Sequence, residues 1–308
     1  MPKPKTTTPS GVIILDKPRG PTSTACLNRI KSRFKLKKIG HAGTLDPIAR
    51  GILVVLLGQA TKLSSYFTEG AKTYYGTIRL GLSTDTYDTQ GTVLERGDYS
   101  GLSREIIGQE IESWTELKEQ SVPPMSAAKH QGKPLYALSR AGQEVPHKTK
   151  RIVIHQAEAL NIEPPEVEFR ITCSSGTYVR SLAHSLGTRL GCHAVLADLV
   201  REYSHPFGLE QAVELDTLLD SQNWEQHVCP IPRALAQAKP WPQLVVSREL
   251  ARMIRNGQPV STHLLPEYQP REEEMALLLT QEHSPLALVQ AQKWEGRLVW
   301  SIIRGLWA

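Results

Sequence analysis

The segment from Gly40 to Gly51 constrains the fold of this chain more than any other part of the sequence. It carries three glycines and Pro47, and it leads directly into the apolar run Ile52–Leu57. An uninterrupted run of branched apolar side chains predicts a strand that is buried on both faces, so we expect the preceding segment to be a loop. Pro47 disfavours helical dihedrals at Asp46, and the glycines permit an irregular backbone. Asp46 is then either a turn residue that bonds its own backbone or a chemical group held in position beside a dry strand.

The rest of the chain combines strand and helix patterns. Alternating or continuous apolar runs predict strands, and apolar stripes at helical spacing beside cap residues predict helices. The predicted strands are 11–15, 52–57, 72–81 and 167–173, with three further runs at 276–279, 286–289 and 298–303. The predicted helices are one capped by Ser23, a short one over 60–67, one over 179–190 that ends at Gly191, and one capped by Ser247. Residues 208–240 read as a helical, proline-containing link.

Charge and cysteine content restrict the class of partner and the cellular setting. The 308 residues carry a net charge of +5, which favours a polyanionic partner, although an ordinary basic protein would show the same balance. The four cysteines form neither a Cys-x-x-Cys pair nor a zinc-ligand spacing, so we expect a reduced, cytoplasmic protein without metal. Residues 1–10 lack an apolar signal core, and no apolar run approaches membrane-spanning length. We therefore expect a disordered tail and no membrane partner.

The loop sequence resembles a known family signature. Gly-His-Ala-Gly-Thr-Leu-Asp-Pro over residues 40–47, followed by Gly51 and an apolar strand, is similar to the motif of the TruB-type tRNA pseudouridine synthases. The resemblance implies that Asp46 is the catalytic nucleophile and that His41 contacts the RNA stem-loop. Arg50 departs from the family pattern, in which a small hydroxyl residue precedes the glycine.

Further motifs extend the resemblance over roughly residues 11–207. Each motif residue also has an ordinary structural interpretation: Tyr74 can be core, Arg180 an exposed helical arginine, and Asp88 a turn residue, which is the reading we favour although it could also reach the site. The resemblance implies that Tyr74 stacks on the target base and that Arg180 pairs with Asp46 and keeps it ionised. It implies that Leu199 borders the base pocket. Lys17, in a motif similar to the family's first, is assigned a scaffold or site-lining role.

The resemblance also implies the fold class and the domain organisation. We expect an α+β catalytic domain over 11–240, built on a mixed, mainly antiparallel sheet flanked by helices. A lobe at about 120–151, in which residues 129–151 hold six Lys or Arg against one Glu, would grip RNA and become ordered on binding. Residues 241–308 resemble a small PUA-type RNA-binding β domain, although an unrelated small β domain would show the same diffuse pattern.

The implied activity is the isomerisation of a tRNA uridine to pseudouridine, at position 55 in the T-loop. The enzyme would flip the base out, need no cofactor or metal, recognise the T stem-loop, and work as a monomer without a guide RNA. Two alternatives remain open from the sequence. A tRNA-binding or folding chaperone without turnover would carry the same basic lobe and tail, and a nucleoside glycosidase would also use a carboxylate. A glycosidase normally needs two acidic residues flanking the bond, whereas the loop motif offers Asp46 alone.

Overall fold

The structure is a computed structural model that describes residues 9–126, 128–141, 143 and 145–307. Its strands are, in chain order, β1 (Gly11–Lys17), β2 (Ile39–Ala42), β3 (Ala49–Leu57), β4 (Lys72–Leu80), β5 (Leu82–Thr84), β6 (Val93–Arg96), β7 (Glu119–Ser121), β8 (Lys129–His130), β9 (Lys133–Pro134), β10 (Thr149–Arg151), β11 (Ile154–Glu163), β12 (Glu166–Cys173), β13 (Ala194–Ser204), β14 (Phe207–Gly208), β15 (Val213–Glu214), β16 (Cys229–Pro230), β17 (Gln243–Val245), β18 (Val260–Ser261), β19 (Met275–Leu279), β20 (Pro285–Trp294) and β21 (Arg297–Gly305). Its helices are α1 (Ser23–Arg33), α2 (Ser64–Thr68), α3 (Arg104–Glu112), α4 (Leu135–Arg140), α5 (Val179–Arg189), α6 (Leu215–Asp220), α7 (Ile231–Ala238) and α8 (Arg248–Arg255). Most of the predicted disordered tail (residues 1–8) and positions 127, 142 and 144 of the predicted lobe lie outside the described residues.

The largest sheet joins strands that lie far apart in the sequence. Its order is β11-β12-β4-β13-β3-β1-β15, while β2, β14 and β16 pair with β3, β13 and β1 respectively. The pairs β13–β3 and β1–β15 are parallel, and the remaining pairs of this sheet are antiparallel. The predicted mixed, mainly antiparallel sheet is therefore confirmed.

Strand β3 lies inside this sheet and separates two apolar cores. Alternate side chains of a strand point to opposite faces, and here Leu53 and Val55 join a core with α1 and α5, whereas Ile52 and Val54 join a core with α7. All four are fully buried, which confirms the predicted burial on both faces.

The predicted loop at 40–51 is wrong at both of its ends. Residues 39–42 form β2, which pairs antiparallel with the second half of β3, and β3 itself begins at Ala49. Only 43–48 remain outside the strands. The beginning of β3 pairs instead with β13 through Leu199–Arg201. The pairing partner of β3 thus changes from β2 to β13, and the shortened loop lies at this change.

Two other local predictions need correction. Thr22, and not Ser23, caps α1, because its side chain accepts from the Ala25 N–H, while Ser23 bonds the loop described below. The predicted link at 208–240 is helical at α6 and α7, but it also contains β15, β16 and the end of β14. These short strands form because β1 and β13 offer backbone partners that only the folded sheet brings there. The predicted C-cap of α5 is confirmed, since Gly191 adopts a φ of +71° just after the helix.

The C-terminal part forms a separate sheet with the order β17-β19-β20-β21-β18. Ser247 caps α8 as predicted, and the three predicted runs are strands that extend a few residues further. Leu277, Leu288 and Leu306 pack into the same core as Val12 from β1. The PUA-type identity of this sheet and the domain boundaries stay predictions. Among the described residues, no helix combines the length and the apolar character needed to cross a bilayer.

Candidate active site

The turn between β2 and β3 holds Asp46 through bonds to both of its neighbours. The Ser23 hydroxyl accepts a hydrogen bond from the Leu45 N–H at 2.9 Å and donates one to the Leu45 carbonyl at 3.0 Å. The Gly20 N–H donates to the Pro47 carbonyl at 2.8 Å. Because the residues before and after Asp46 are anchored in this way, its carboxylate stands on a turn with a defined backbone.

Gly51 allows β13 to approach this turn closely. Its φ of +94° lies in a region that side chains disfavour, and a Cβ at this position would lie 2.5 Å from the Arg201 carbonyl oxygen. Gly51 therefore meets a packing requirement, and the contact places Leu199 and Arg201 beside the Asp46 turn.

Asp46 and Arg180 form a two-pronged ion pair across 134 positions of sequence. Arg180 Nε donates to Asp46 Oδ2 at 2.8 Å, and Arg180 Nη2 donates to Asp46 Oδ1 at 3.1 Å. Two parallel charge-assisted hydrogen bonds set the plane of the carboxylate as well as its position. The Asp46 side chain keeps 38% of its surface exposed, so its oxygens remain open to a ligand.

Arg180 itself is buried, with 5% of its side chain exposed. Its remaining donors reach the Thr86 carbonyl at 2.7 Å and the Met125 carbonyl at 3.2 Å. Asp88 Oδ2 lies 3.8 Å from Arg180 Nε, while Asp88 Oδ1 accepts from the Thr86 hydroxyl and the Gln90 N–H. Asp88 therefore stabilises its own turn and also lies beside the Arg180 guanidinium. The guanidinium is held from several sides in an orientation that suits Asp46.

A cavity of about 430 Å³ opens beside this ion pair. Its wall brings together five residues that the sequence singled out, namely His41, Asp46, Tyr74, Arg180 and Leu199. Tyr74 is 7% exposed and Leu199 is 5% exposed, so both contribute largely buried apolar surface to the cavity wall. A volume of this size and the combination of ring, branched alkyl and carboxylate would accommodate a planar base with its sugar.

The titration of two lining residues is shifted by their surroundings. Burial, followed by the charge of nearby Arg201, lowers the pKa of His41 below its ordinary value of 6.5. Burial raises the pKa of the Tyr74 phenol. We therefore expect a neutral imidazole and a neutral phenol at physiological pH. His41 Nδ1 is buried without a hydrogen-bond partner among the described residues.

Lys17 lies beneath the turn and does not line the cavity. Its ammonium group is fully buried and donates to the carbonyls of Ala49 and Pro18 at 2.7 and 2.9 Å. Burial lowers the pKa of Lys17. Of the two roles that the sequence offered, the geometry corresponds to the scaffold role, because the bonds of Lys17 hold the beginning of β3.

The sequence reasoning missed two further buried cations, Arg201 and Lys72, which both line the cavity. Arg201 is 1% exposed and donates to the carbonyls of Ile52 and Gly43 at 2.7 and 2.9 Å. The alternation of side chains along a strand could have indicated both residues. Lys72 is two residues from Tyr74 and Arg201 is two residues from Leu199, so the members of each pair point to the same face of their strand. Within the described ranges, no group of three or more His, Cys, Asp and Glu side chains is arranged to hold a metal.

Comparison with known proteins decides the family. The profile described as "TruB family pseudouridylate synthase (N terminal domain)" matches residues 31–179. The tRNA pseudouridine synthase B of Nitratidesulfovibrio vulgaris (strain Miyazaki F) is 48% identical over 302 residues, which cover 97% of each chain. This chain belongs to the TruB family. The protein of the same name from Thermotoga maritima is 33% identical over 92% of this chain and 90% of its own length.

Solved structures agree with the TruB fold. The crystal structure of a Cbf5-Nop10-Gar1 complex contains a chain that matches with a TM-score of 0.68 at 24% identity, over 96% of this chain and 85% of that one. A structure of an H/ACA RNP bound to a substrate RNA matches with a TM-score of 0.66 at 23% identity, over 97% of this chain and 85% of that one. The family and the fold class expected from the motifs are thus confirmed.

Proposed function

We propose that this TruB-family enzyme converts a uridine of tRNA into pseudouridine, with the T-loop uridine at position 55 as its target. The observation that carries the proposal is the Asp46–Arg180 ion pair on the wall of a cavity that also contains Tyr74 and Leu199. Two named relatives, at 48% and 33% identity, support tRNA as the substrate. A binding chaperone would need no buried arginine paired with a partly exposed carboxylate.

Asp46 is the reacting group in this proposal. A carboxylate is ionised at neutral pH and can both attack and leave. Arg180 fixes the plane of the Asp46 carboxylate through two hydrogen bonds, so the reacting oxygen needs little reorganisation when the substrate arrives. The reaction breaks the bond between C1′ and N1 of the base, turns the base, and joins C1′ to C5. Asp46 acts either covalently, at the sugar or the base, or as a base that removes a proton.

The cavity explains why the target nucleotide must leave its stack. A base that remains stacked in the RNA cannot reach a carboxylate on the cavity wall, and extrusion costs a few kcal/mol. Tyr74 would stack on the extruded base, which is worth about 1–3 kcal/mol, and Leu199 would border its edge. His41, which lines the cavity, would contact the stem-loop. RNA shape supplies most recognition in this scheme.

The lobe at about 120–151 and the C-terminal sheet would hold the RNA, the latter as a PUA-type domain. Lys150 of β10 packs across Gly176, which lines the cavity, so this part of the lobe carries positive charge at the cavity rim. Binding that neutralises several phosphates weakens steeply with salt. We further propose that the protein acts in the cytoplasm as a monomer, without a guide RNA.

The decisive experiment compares wild type with Asp46→Asn on unmodified tRNA. Carbodiimide-detected pseudouridine should appear at position 55 with wild type and be absent with the variant, while RNA affinity stays unchanged, because the amide keeps the shape but not the charge. Asp216→Asn is the matched control, since Asp216 pairs with Arg29 at the surface and is 77% exposed. Tight binding without product by wild type would establish a chaperone, and release of free uracil would establish a glycosidase.

A further inference from the structure

Lys72 is a buried lysine on the wall of the catalytic cavity for which the mechanism above has no role. It opens β4 two residues before Tyr74, and 3% of its surface is exposed. Its ammonium group donates to the carbonyls of Thr68 at 2.7 Å and Gly70 at 3.3 Å. An ammonium group has three N–H donors, so one remains for a ligand in the cavity.

The surroundings of Lys72 do not compensate its charge. Among the described residues, its hydrogen-bond partners are carbonyls, and no carboxylate pairs with it. The titratable groups around it are Arg201 from β13, Cys173 from β12, His205 from the turn after β13, and His41 across the cavity. Asp46 also lines this cavity, but its carboxylate is paired with Arg180. Burial raises the pKa of the Cys173 thiol to about 11, so it stays neutral. Two cations thus share one wall of the cavity, with only neutral partners.

A buried and unpaired cation is costly to the fold. Burial, and then the charge of Arg201, lower the pKa of Lys72 to about 8. The ammonium form therefore exists at neutral pH at the expense of stability, and it would be stabilised by an anion that enters the cavity. Perturbed groups of this kind in clefts are concentrated at functional sites.

We infer that Lys72 is a further catalytic residue, and that its ammonium group stabilises the negative charge on the uracil base after the base separates from the ribose. This inference rests on the proposed function. It assigns Lys72 to the anionic base and applies to the route in which Asp46 acts at the sugar.

The charge arises from the electron balance of the bond cleavage. When the C1′–N1 bond breaks, its electron pair leaves with N1, and C1′ either becomes an oxocarbenium carbon beside Asp46 or bonds to an Asp46 oxygen. The base becomes a uracil anion whose charge spreads over N1 and the two carbonyl oxygens. The charge is removed when the electron pair of C5 bonds to C1′ and any bond between C1′ and Asp46 breaks, which frees the carboxylate. C5 then loses its proton to water and N1 takes up a proton from water, so the net proton count is unchanged. A fixed cation at the cavity wall lowers the energy of this intermediate and of the transition state that leads to it. Lys72 itself transfers no proton in this scheme.

The first test is a comparison of single-turnover rates for wild type, Lys72→Met and Lys72→Arg on unmodified tRNA. Methionine keeps the length and the packing but not the charge, so its rate should fall about 100-fold, as expected for the loss of one preorganised donor. The dissociation constant for tRNA should not change, because the charge acts after cleavage begins. Arginine should retain part of the rate.

The pH profile separates this role from a structural one. If the ammonium form is the active form, the wild-type rate decreases as pH rises through the pKa of Lys72, which is about 8 in the free protein. This limb should be missing in Lys72→Met and should move to higher pH in Lys72→Arg, whose guanidinium stays charged. Titration of the RNA is common to all three proteins and cancels in the comparison.

Lys62→Met is the matched control. Lys62 lies in the turn before α2 and donates to the Gly305 carbonyl at 2.7 Å, so it also holds a carbonyl but lies away from the cavity lining. This control should lose stability without losing rate. Wild-type rate and an unaltered pH limb in Lys72→Met would overturn the inference, and so would an equal loss of rate in the control. An inactive wild type would instead refute the proposed function itself.

Discussion

Replacement of Arg180 by lysine tests whether the geometry of the ion pair, and not only its charge, drives the reaction. Arg180 makes two bonds to Asp46, at 2.8 and 3.1 Å, and a lysine ammonium can restore at most one of them because it lacks the planar fork. Loss of one charge-assisted hydrogen bond costs about 1.5–3 kcal/mol. If this loss falls on the transition state, the rate decreases about 10- to 150-fold.

The same change should destabilise the fold. Arg180 also satisfies the carbonyls of Thr86 and Met125, and a buried carbonyl left without a partner costs about 1–3 kcal/mol. In a chain of this length, a loss of 1 kcal/mol in the free energy of unfolding lowers the melting temperature by about 2 °C. We therefore expect a decrease in melting temperature of about 2–6 °C, with the protein still folded at the assay temperature.

The chain contains a matched control for this substitution. Arg170 donates to Glu202 through Nε at 2.9 Å and Nη2 at 3.2 Å, but 43% of its side chain is exposed. Exposed pairs contribute less than about 1 kcal/mol, so Arg170→Lys should change neither the rate nor the melting temperature appreciably. Single-turnover kinetics and thermal unfolding of both variants provide the comparison. Equal behaviour of the two variants would contradict the argument that the buried, two-pronged geometry matters.

Two further predictions concern the turn and its surroundings. Gly51→Ala should lower the melting temperature by about 5 °C or more and reduce activity in step, because the added Cβ would lie 2.5 Å from the Arg201 carbonyl oxygen. Gly101→Ala is the control, since no atom lies within 4 Å of the added Cβ there, and it should not change the melting temperature in the same thermal scan. His41 has a lowered pKa in the folded protein, so the unfolded chain binds this proton first and stability falls as pH decreases below about 6.5. The loss of melting temperature between about pH 7.5 and about pH 5.5 should be smaller in His41→Gln, and an equal loss in both proteins would show that His41 does not contribute.

Much of the local structure could be predicted because it depends on neighbours in the chain. The apolar run before Gly58 indicated β3, the alternation around Tyr74 indicated β4, and the cap of α8 at Ser247 was correct. The cap of α1 was predicted one residue too late, because Ser23 bonds Leu45 across 22 positions and Thr22 is left to cap the helix. Local propensity cannot predict a side chain whose partner lies in a distant segment.

The sequence by itself determined the family motif around Asp46, the strand beneath it, and the expectation of a mixed sheet, since each follows from short-range patterns or from a long specific string. Only the tertiary structure decided that Arg180 is buried, that Lys17 lies under the turn, and that Lys72 and Arg201 bring unpaired charge to the cavity. The physical reason is that burial and electrostatics depend on distances through space. Asp46 and Arg180 are 134 positions apart in the chain and 2.8 Å apart in the fold.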